Sequence, residues 1–594
     1  MPHPIRDFLE VRSAGANGFS PDGSRVLVSS NLTGTSQLYR VARTGGELEQ
    51  VTGFDEPVAG SYMPTTDDVI LQHDVGGNER LQISLIDDGG RDLRELVHDP
   101  EHIHRVGGVT RDGALLAYSS NRRNGTDFDV YVRDLGTGEE RCVWAPGGWC
   151  DASGFSPDGR YLAVARLTER SGDNEAHLID LADGSTVEVA PHTDEAYVGA
   201  PHWLPDSSAF FFSASVDREF EAVHRYDMSS GRVDPVIEPD WDAACSIDEG
   251  GTTLAVRINE DGYSRVELYD PHTLRRRGEL PLPGRGQVGG VRFTKDGGHA
   301  CFSFVSPVEP GDAWVHDLTT GETTRLTDSP CPVPRDALVE PELHRFPSFD
   351  GESIPVFLFR PRGSRGEVPV VVQIHGGPES QYVPAFNPVT QYLVDHGFAV
   401  AAPNVRGSTG YGKRYEHLDD VRKRLDSVRD LEALHAWLGS VGGIDQRRAA
   451  LMGGSYGGYM VLAGLAFQPQ LWAAGVDVVG ISSLVTFLEN TAPWRRRFRE
   501  REYGSLERDR DFLVEVSPIT HVDRMRAPLM IIHGANDPRV PLGEAEQIHE
   551  VLRQKDVASE LLVYHDEGHG LAKLRNRLDA YPKVADFLHR HLGA

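Results

Sequence analysis

Seven aspartates at near-constant spacing constrain this chain more than any other feature. The phrase GFSPDG at 18–23 returns as GFSPDG at 154–159, with weaker copies VTRDG (109–113), WLPDS (203–207) and FTKDG (293–297). Asp67 and Asp248 fill the two gaps, so the series Asp22, Asp67, Asp112, Asp158, Asp206, Asp248, Asp296 has intervals of 45, 45, 46, 48, 42 and 48. Each copy continues alike. A short apolar run follows the turn (RVLVSS, YLAVARL, HACFSFV), then a polar loop, an alternating run (QLYRV, AHLIDL, AWVHDL), a Gly-rich turn and a last short strand. Strands of this length joined by Asp-Gly turns read as an antiparallel meander. Four strands per period of 40–50 residues is the signature of a propeller blade. Seven copies predict a seven-bladed β-propeller over about residues 18–327.

After residue 330 the pattern changes. The proline-rich stretch DSPCPVPRDALVE (328–340) reads as a crossover. Beyond it, apolar runs such as VPVVVQI, FAVAAP, AALMGG and LMIIHG alternate with longer helical stretches such as LGEAEQIHEVLRQK. Strands buried on both faces and separated by helices indicate a doubly wound, mostly parallel sheet. The expected division is a propeller over 1–330 and an α/β-hydrolase fold over 331–594.

The chemistry lies in the second half. Gly453-Gly454-Ser455-Tyr456-Gly457 fits G-x-S-x-G, follows the strand RRAALM and precedes the apolar stretch GGYMVLAGLAF. That strand–turn–helix setting is what a nucleophile elbow requires. A serine hydroxyl is a poor nucleophile without a base in reach. The order on this fold is Ser, then Asp or Glu, then His. Downstream, Asp537 sits in the loop after LMIIHG and His569 in the loop after ELLVYH. Ser455, His569 and Asp537 are therefore expected to act as nucleophile, base and orienting carboxylate. Acyl transfer also needs donors for the developing oxyanion. Tyr456 N–H, just after the nucleophile, and Gly377 N–H, in His375-Gly376-Gly377-Pro378 after the third strand, are the candidates. His565 and His569 are four apart, but HDEGH lacks the helical HExxH pattern, so no metal is expected, nor any cofactor.

Composition removes other classes. Asp and Glu outnumber Lys and Arg by 89 − 60 = 29, which suits neither a nucleic-acid backbone nor an anionic lipid surface. It is compatible with solubility through self-repulsion and with an acidic cavity that selects cations such as peptide amines. Five cysteines without a CxxC pair make no disulfide framework. There is no apolar leader and no run of about 18 apolar residues. The expectation is a soluble, cytoplasmic protein.

Together HGGP (375–378), NVRGSTGYG (404–412), GGSYGGYM (453–460), HGANDPRVP (533–541) and EGHG (567–570) resemble the prolyl oligopeptidase family of serine peptidases. The likeness is strongest to its acylaminoacyl-peptidase and bacterial aminopeptidase branch and covers the whole chain. It implies that Ser455, Asp537 and His569 form the triad, with Gly377 and Tyr456 as oxyanion donors. It also implies that Arg539, two residues after the aspartate, binds a substrate carbonyl, and that the propeller admits only short substrates. The alternative for Arg539 is an ion pair with an acidic neighbour. The Trp-Tyr-Glu-Glu signature of membrane-type dipeptidyl peptidases is absent, but GGNERLQI (76–83) and GDNEAHLI (172–179) offer Glu79 and Glu175 as carboxylates for a peptide amine. Val479, Phe487 and Trp494, after the sixth strand, are candidate apolar walls for the residue before the scissile bond. The basic run 495–499 reads as a helix face paired with acids.

The resulting expectation is an exopeptidase for short peptides or aminoacyl amides, either an aminopeptidase or an acylaminoacyl-peptidase. Alternatives are a dipeptidyl-peptidase-like or prolyl-specific peptidase, an esterase or amidase for an aminoacyl metabolite or antibiotic, and a propeller interaction protein with a vestigial hydrolase. Family members can also assemble as homo-oligomers through blade edges, for which the sequence gives no sign either way.

Overall fold

The structure is a computed structural model that describes residues 2–363 and 366–593. Seven antiparallel blades occupy residues 14–50, 59–97, 104–144, 150–189, 202–237, 243–279 and 287–325. Six are four-stranded meanders; the last carries a fifth short strand, Arg292–Phe293, against His299–Ser306. The repeated aspartate is explained by its turn. Oδ1 of Asp22 accepts the N–H of Ser24 at 2.9 Å and the hydroxyl of Ser20 at 2.7 Å. Asp112, Asp158 and Asp296 repeat this with their own neighbours. A short side chain that satisfies the turn's own backbone is why Asp recurs there. Asp67 is the exception and faces Arg25 at 3.9 Å. The turn joins the first strand of a blade to the second, so the ring begins one strand earlier than the repeat phrase, at Ala14.

The C-terminal half forms an eight-stranded sheet from β1 (Glu342–Pro347), β2 (Ser353–Phe359), β3 (Val368–Ile374), β4 (Ala399–Pro403), β5 (Ile444–Gly454), β6 (Ala474–Val478), β7 (Leu529–Gly534) and β8 (Ser559–Tyr564). Its spatial order is β1-β2-β4-β3-β5-β6-β7-β8, antiparallel at the first two junctions and parallel thereafter. The helices that position the site are α1 (Ile5–Leu9), α2 (Pro388–Asp395), α3 (Arg424–Leu438), α4 (Tyr456–Phe467), α5 (Pro493–Tyr503), α6 (Gly543–Gln554) and α7 (Leu574–Leu592). Strand residues alternate between two cores, as the period of 2 demands. Val370, Val372, Leu451 and Ile531 pack with α3, α4 and α6, whereas Val371, Met452, Met530 and Ile532 pack with α1, α2 and α7. Continuous apolar strands are thus the mark of a sheet covered twice.

The expected boundary at 330 needs correction at the other terminus. Phe8 of α1 is buried in the hydrolase core, edge-on to Tyr392 at 5.9 Å between ring centroids. An isolated five-residue helix has little stability of its own, so its apolar face seeks the larger core. The chain therefore starts on the hydrolase unit, builds the propeller, and returns. The two crossings touch, with Arg12 N–H bonded to Pro330 O at 2.8 Å.

Candidate active site

Parallel pairing from β5 to β8 makes the loops that follow these strands leave from one edge of the sheet. Ser455 caps β5 in a conformation rare for a side-chain-bearing residue, φ 59° and ψ −119°. Its N–H bonds Val478 O at 2.9 Å, which ties the elbow to β6. Gly457 is required here: a Cβ on it would stand 2.3 Å from Ile374 O. Tyr456 is the first residue of α4, where backbone N–H groups have no intrahelical partner. The HGGP loop lies directly over the serine, since a Cβ on Gly376 would be 3.4 Å from Ser455 Cβ. Neither Gly377 N–H nor Tyr456 N–H bonds to a protein acceptor among the described residues.

Asp537 is buried, with both oxygens committed. Oδ1 accepts the N–H groups of Arg539 at 2.8 Å and Val540 at 3.0 Å. Oδ2 accepts from His569 Nδ1 at 2.7 Å. That bond places the imidazole proton on Nδ1 and leaves Nε2 as the basic nitrogen. The hydrogen bond between His569 Nε2 and Ser455 Oγ is not made in this structure, and neither atom has another partner among the described residues. Such bonds often tighten only with substrate. His533, fully buried, bonds Val540 O at 2.9 Å and so braces the loop carrying Asp537; burial pushes its pKa down, favouring the neutral ring.

A propeller loop completes this edge. Asp74–Leu81 of the second blade lies against the His569 loop, and a Cβ on Gly568 would fall 1.9 Å from Gly77 O. Asn536 Nδ2 bonds Gly76 O at 2.9 Å. Arg539 Nε pairs with Glu79 Oε1 across the domains. The two residues proposed separately from sequence as substrate ligands thus meet, in the ion pair weighed for Arg539 as its alternative. They line a cavity of about 540 Å³ with Glu56, Asp74, Lys573 and His569. A neighbouring one of about 280 Å³ joins them to Trp149, Trp494 and Arg495.

The remaining candidates separate. Trp494 faces this second cavity and meets Trp149 at a tilt of 55°, with ring centroids 5.6 Å apart. Val479 and Phe487 are core residues that line none of the cavities described here; Phe487 meets Tyr503 edge-on. Glu175 is held inside its own blade by Arg166 at 3.4 Å and His177 at 3.2 Å, away from His569. The basic run pairs as expected at Arg497 with Glu169 and at Arg499 with Glu379. Arg495 departs from that pattern. Its Nε is buried without a partner, and burial beside Arg499 and Arg539 lowers its pKa to about 10. Sequence reasoning also missed Trp149, whose blade position carries no motif, and read Glu567, in the EGHG phrase, as a loop or surface residue although it is buried. The carboxylate of Glu567 accepts from the N–H groups of Ala572 and Lys573 and from Asn576, anchoring the segment beyond His569.

A third cavity, of about 530 Å³, lies between blades four to six and the hydrolase unit. Asp151, Asp173, Glu219, Glu221, Asp242, Glu379 and Glu416 line it, against Lys413, Arg501 and His417. Burial, then like charge, pushes Glu221 up to about 8 and Glu416 up to about 7. Among the described residues one trio of carboxylates, Asp419, Asp420 and Glu502, stands close enough for a metal. The guanidinium of Arg424 already pairs with two of them.

The prolyl oligopeptidase family matches residues 384–594, and the prolyl oligopeptidase N-terminal beta-propeller domain matches 60–329. The chain belongs to the prolyl oligopeptidase family. This member of the family is a serine peptidase, a hydrolase, built as a seven-bladed propeller on an α/β-hydrolase domain. It is 28% identical over 557 residues to dipeptidyl aminopeptidase BIII of Pseudoxanthomonas mexicana, covering 90% of this chain and 79% of that one. It is 28% identical over 273 residues to the acylamino-acid-releasing enzyme of Mus musculus, covering 42% of this chain and 35% of that one. The solved structure of a puromycin-hydrolyzing peptidase of Mycobacterium tuberculosis superposes with a TM-score of 0.86 over 100% of this chain and 96% of that one, at 20% identity, and shares the fold. Among the described residues no helix of this peptidase is long and apolar enough to cross a membrane.

Proposed function

We propose that this peptidase is an exopeptidase that cleaves short peptides or aminoacyl amides through an acyl-enzyme on Ser455, and that it prefers a free N-terminal amine. Ser455 Oγ attacks the carbonyl carbon and passes its proton to His569 Nε2. The N–H groups of Tyr456 and Gly377 receive the oxyanion. The protonated imidazole then gives its proton to the leaving amine, and water, activated by the same nitrogen, releases the acyl group. The observation that carries the chemistry is the Asp537–His569 bond at 2.7 Å on the edge where Ser455 emerges. The cavity that holds His569 also carries Glu56, Asp74 and Glu79, and these carboxylates support the preference for an ammonium group.

A second reading, hydrolysis of acylated aminoacyl peptides, is favoured by Arg495. A guanidinium on the ring of Trp494, with its Nε buried and unbonded among the described residues and with Arg539 in the same cavity, suits an acyl carbonyl. A p-nitroanilide panel with free, acetylated and dipeptidyl N-termini separates the two. Free-amine substrates should be cleaved faster, and Glu79→Gln should slow them while sparing acetylated ones. The reverse order would transfer the assignment to the acylaminoacyl reading. Ser455→Ala should lower turnover by about 10⁶-fold and abolish fluorophosphonate labelling; near-normal hydrolysis by that variant would end the serine mechanism.

A further inference from the structure

One propeller hydroxyl stands within hydrogen-bond distance of two carboxylates and donates its single proton to one at a time; from each carboxylate a branch runs to one of the two oxyanion donors. Ser171, buried in the 168–173 loop of the fourth blade, places Oγ 2.8 Å from Glu379 Oε1 and 3.0 Å from Glu502 Oε2. Glu379 is two residues beyond Gly377, on the loop covering Ser455, and its other oxygen accepts from Arg499 at 3.0 Å. The second branch runs through α5. Both the carbonyl and the carboxylate of Glu502 accept from Arg424, which also pairs with Asp419. Asp419 Oδ2 lies 3.1 Å from the hydroxyl of Tyr456, the residue whose N–H is the other donor. Arg424, Asp419, Tyr456 and Glu502 are all essentially inaccessible to water. A network in so dry a setting is stiff, and loss of one member is felt by the rest.

We infer that Ser171 is a positioning residue for the oxyanion site, through which the seating of the propeller is felt at both Gly377 and Tyr456. The inference rests on the assignment of Ser455 as nucleophile and of these two N–H groups as donors. An oxyanion donor misplaced by a fraction of an ångström loses much of its effect, because the charge it serves is present only in the transition state. Removing a hydroxyl that touches no substrate should therefore lower kcat and leave KM alone.

The test compares Ser171→Ala with the wild type on the best p-nitroanilide substrate. Inhibition is measured with the matching peptide aldehyde and with the matching free acid product. The aldehyde takes the serine hydroxyl across its C=O, with no leaving group, and its tetrahedral oxygen occupies the oxyanion site; the product requires no such oxygen. The expected result is a fall of about tenfold in kcat and in aldehyde affinity, with KM, product affinity and melting temperature within twofold or one degree of the wild type. Unchanged kcat and aldehyde affinity would overturn the inference. So would equal losses for aldehyde and product together with a lowered melting temperature, since that pattern marks a generally loosened interface. Failure of wild-type Ser455 to label with a fluorophosphonate would instead overturn the nucleophile assignment on which the inference stands.

Discussion

Asp537 divides its two oxygens between a loop and an imidazole. Oδ1 holds the turn through two backbone N–H groups, and Oδ2 fixes the tautomer of His569. Asp537→Asn keeps the shape but offers an N–H where an acceptor is needed, so kcat should fall by about 10⁴-fold with little change in melting temperature; steady-state kinetics beside a thermal scan checks both. The strand-end positions of Ser455, Asp537 and His569 were legible because each follows a predicted parallel strand, and such strand ends share one edge of the sheet. Arg495 and Arg539 were harder. A run of arginines reads as a helix face paired with acids, and only the packed interface shows that Arg495 Nε is left without an acceptor among the described residues and that Arg539 finds Glu79.

Loops, rather than strands, decide how the two halves meet. The blades were legible through an aspartate that closes its own turn, but the phrase marks the turn inside a blade, so the ring starts a strand earlier than the repeat suggests. Loop contacts leave no comparable trace. Nothing in GGNERLQI announces that Gly77 O will lie against Gly568, or that Glu79 will be drawn to Arg539 while its look-alike Glu175 stays within its blade. Gly568→Ala should drive the second-blade loop and the His569 loop apart. Displacing a general base by about 1 Å costs on the order of 10²-fold in rate. The expected outcome is that loss in kcat with the propeller intact by circular dichroism; a rate within threefold of the wild type would show that the two loops move independently.

At the scale of the molecule, the formal charge of −29 is concentrated in part where the domains face each other. Glu221 is pushed up to about 8 by burial, then by Asp242 and Glu416. Its pKa in the unfolded chain lies near the ordinary 4.5, so the folded form binds the extra proton between about pH 4.5 and 8. Stability contributed by that proton is present at the acid end of the window and is lost as pH rises through 8. Melting temperatures taken from pH 5 to 9 should fall across this range, and Glu221→Gln should flatten the fall and exceed the wild type above pH 8. A wild-type curve that rises over the same interval would contradict the assignment. The adjoining chain crossings at Arg12 and Pro330 have one more consequence. Any parting of the two units about them, as of covers about a spine, would be widest at the fore-edge, across the ring from blades one and seven. Blade four, with Ser171 between Glu379 and Glu502, lies at that far margin and would be the first to lose its contacts.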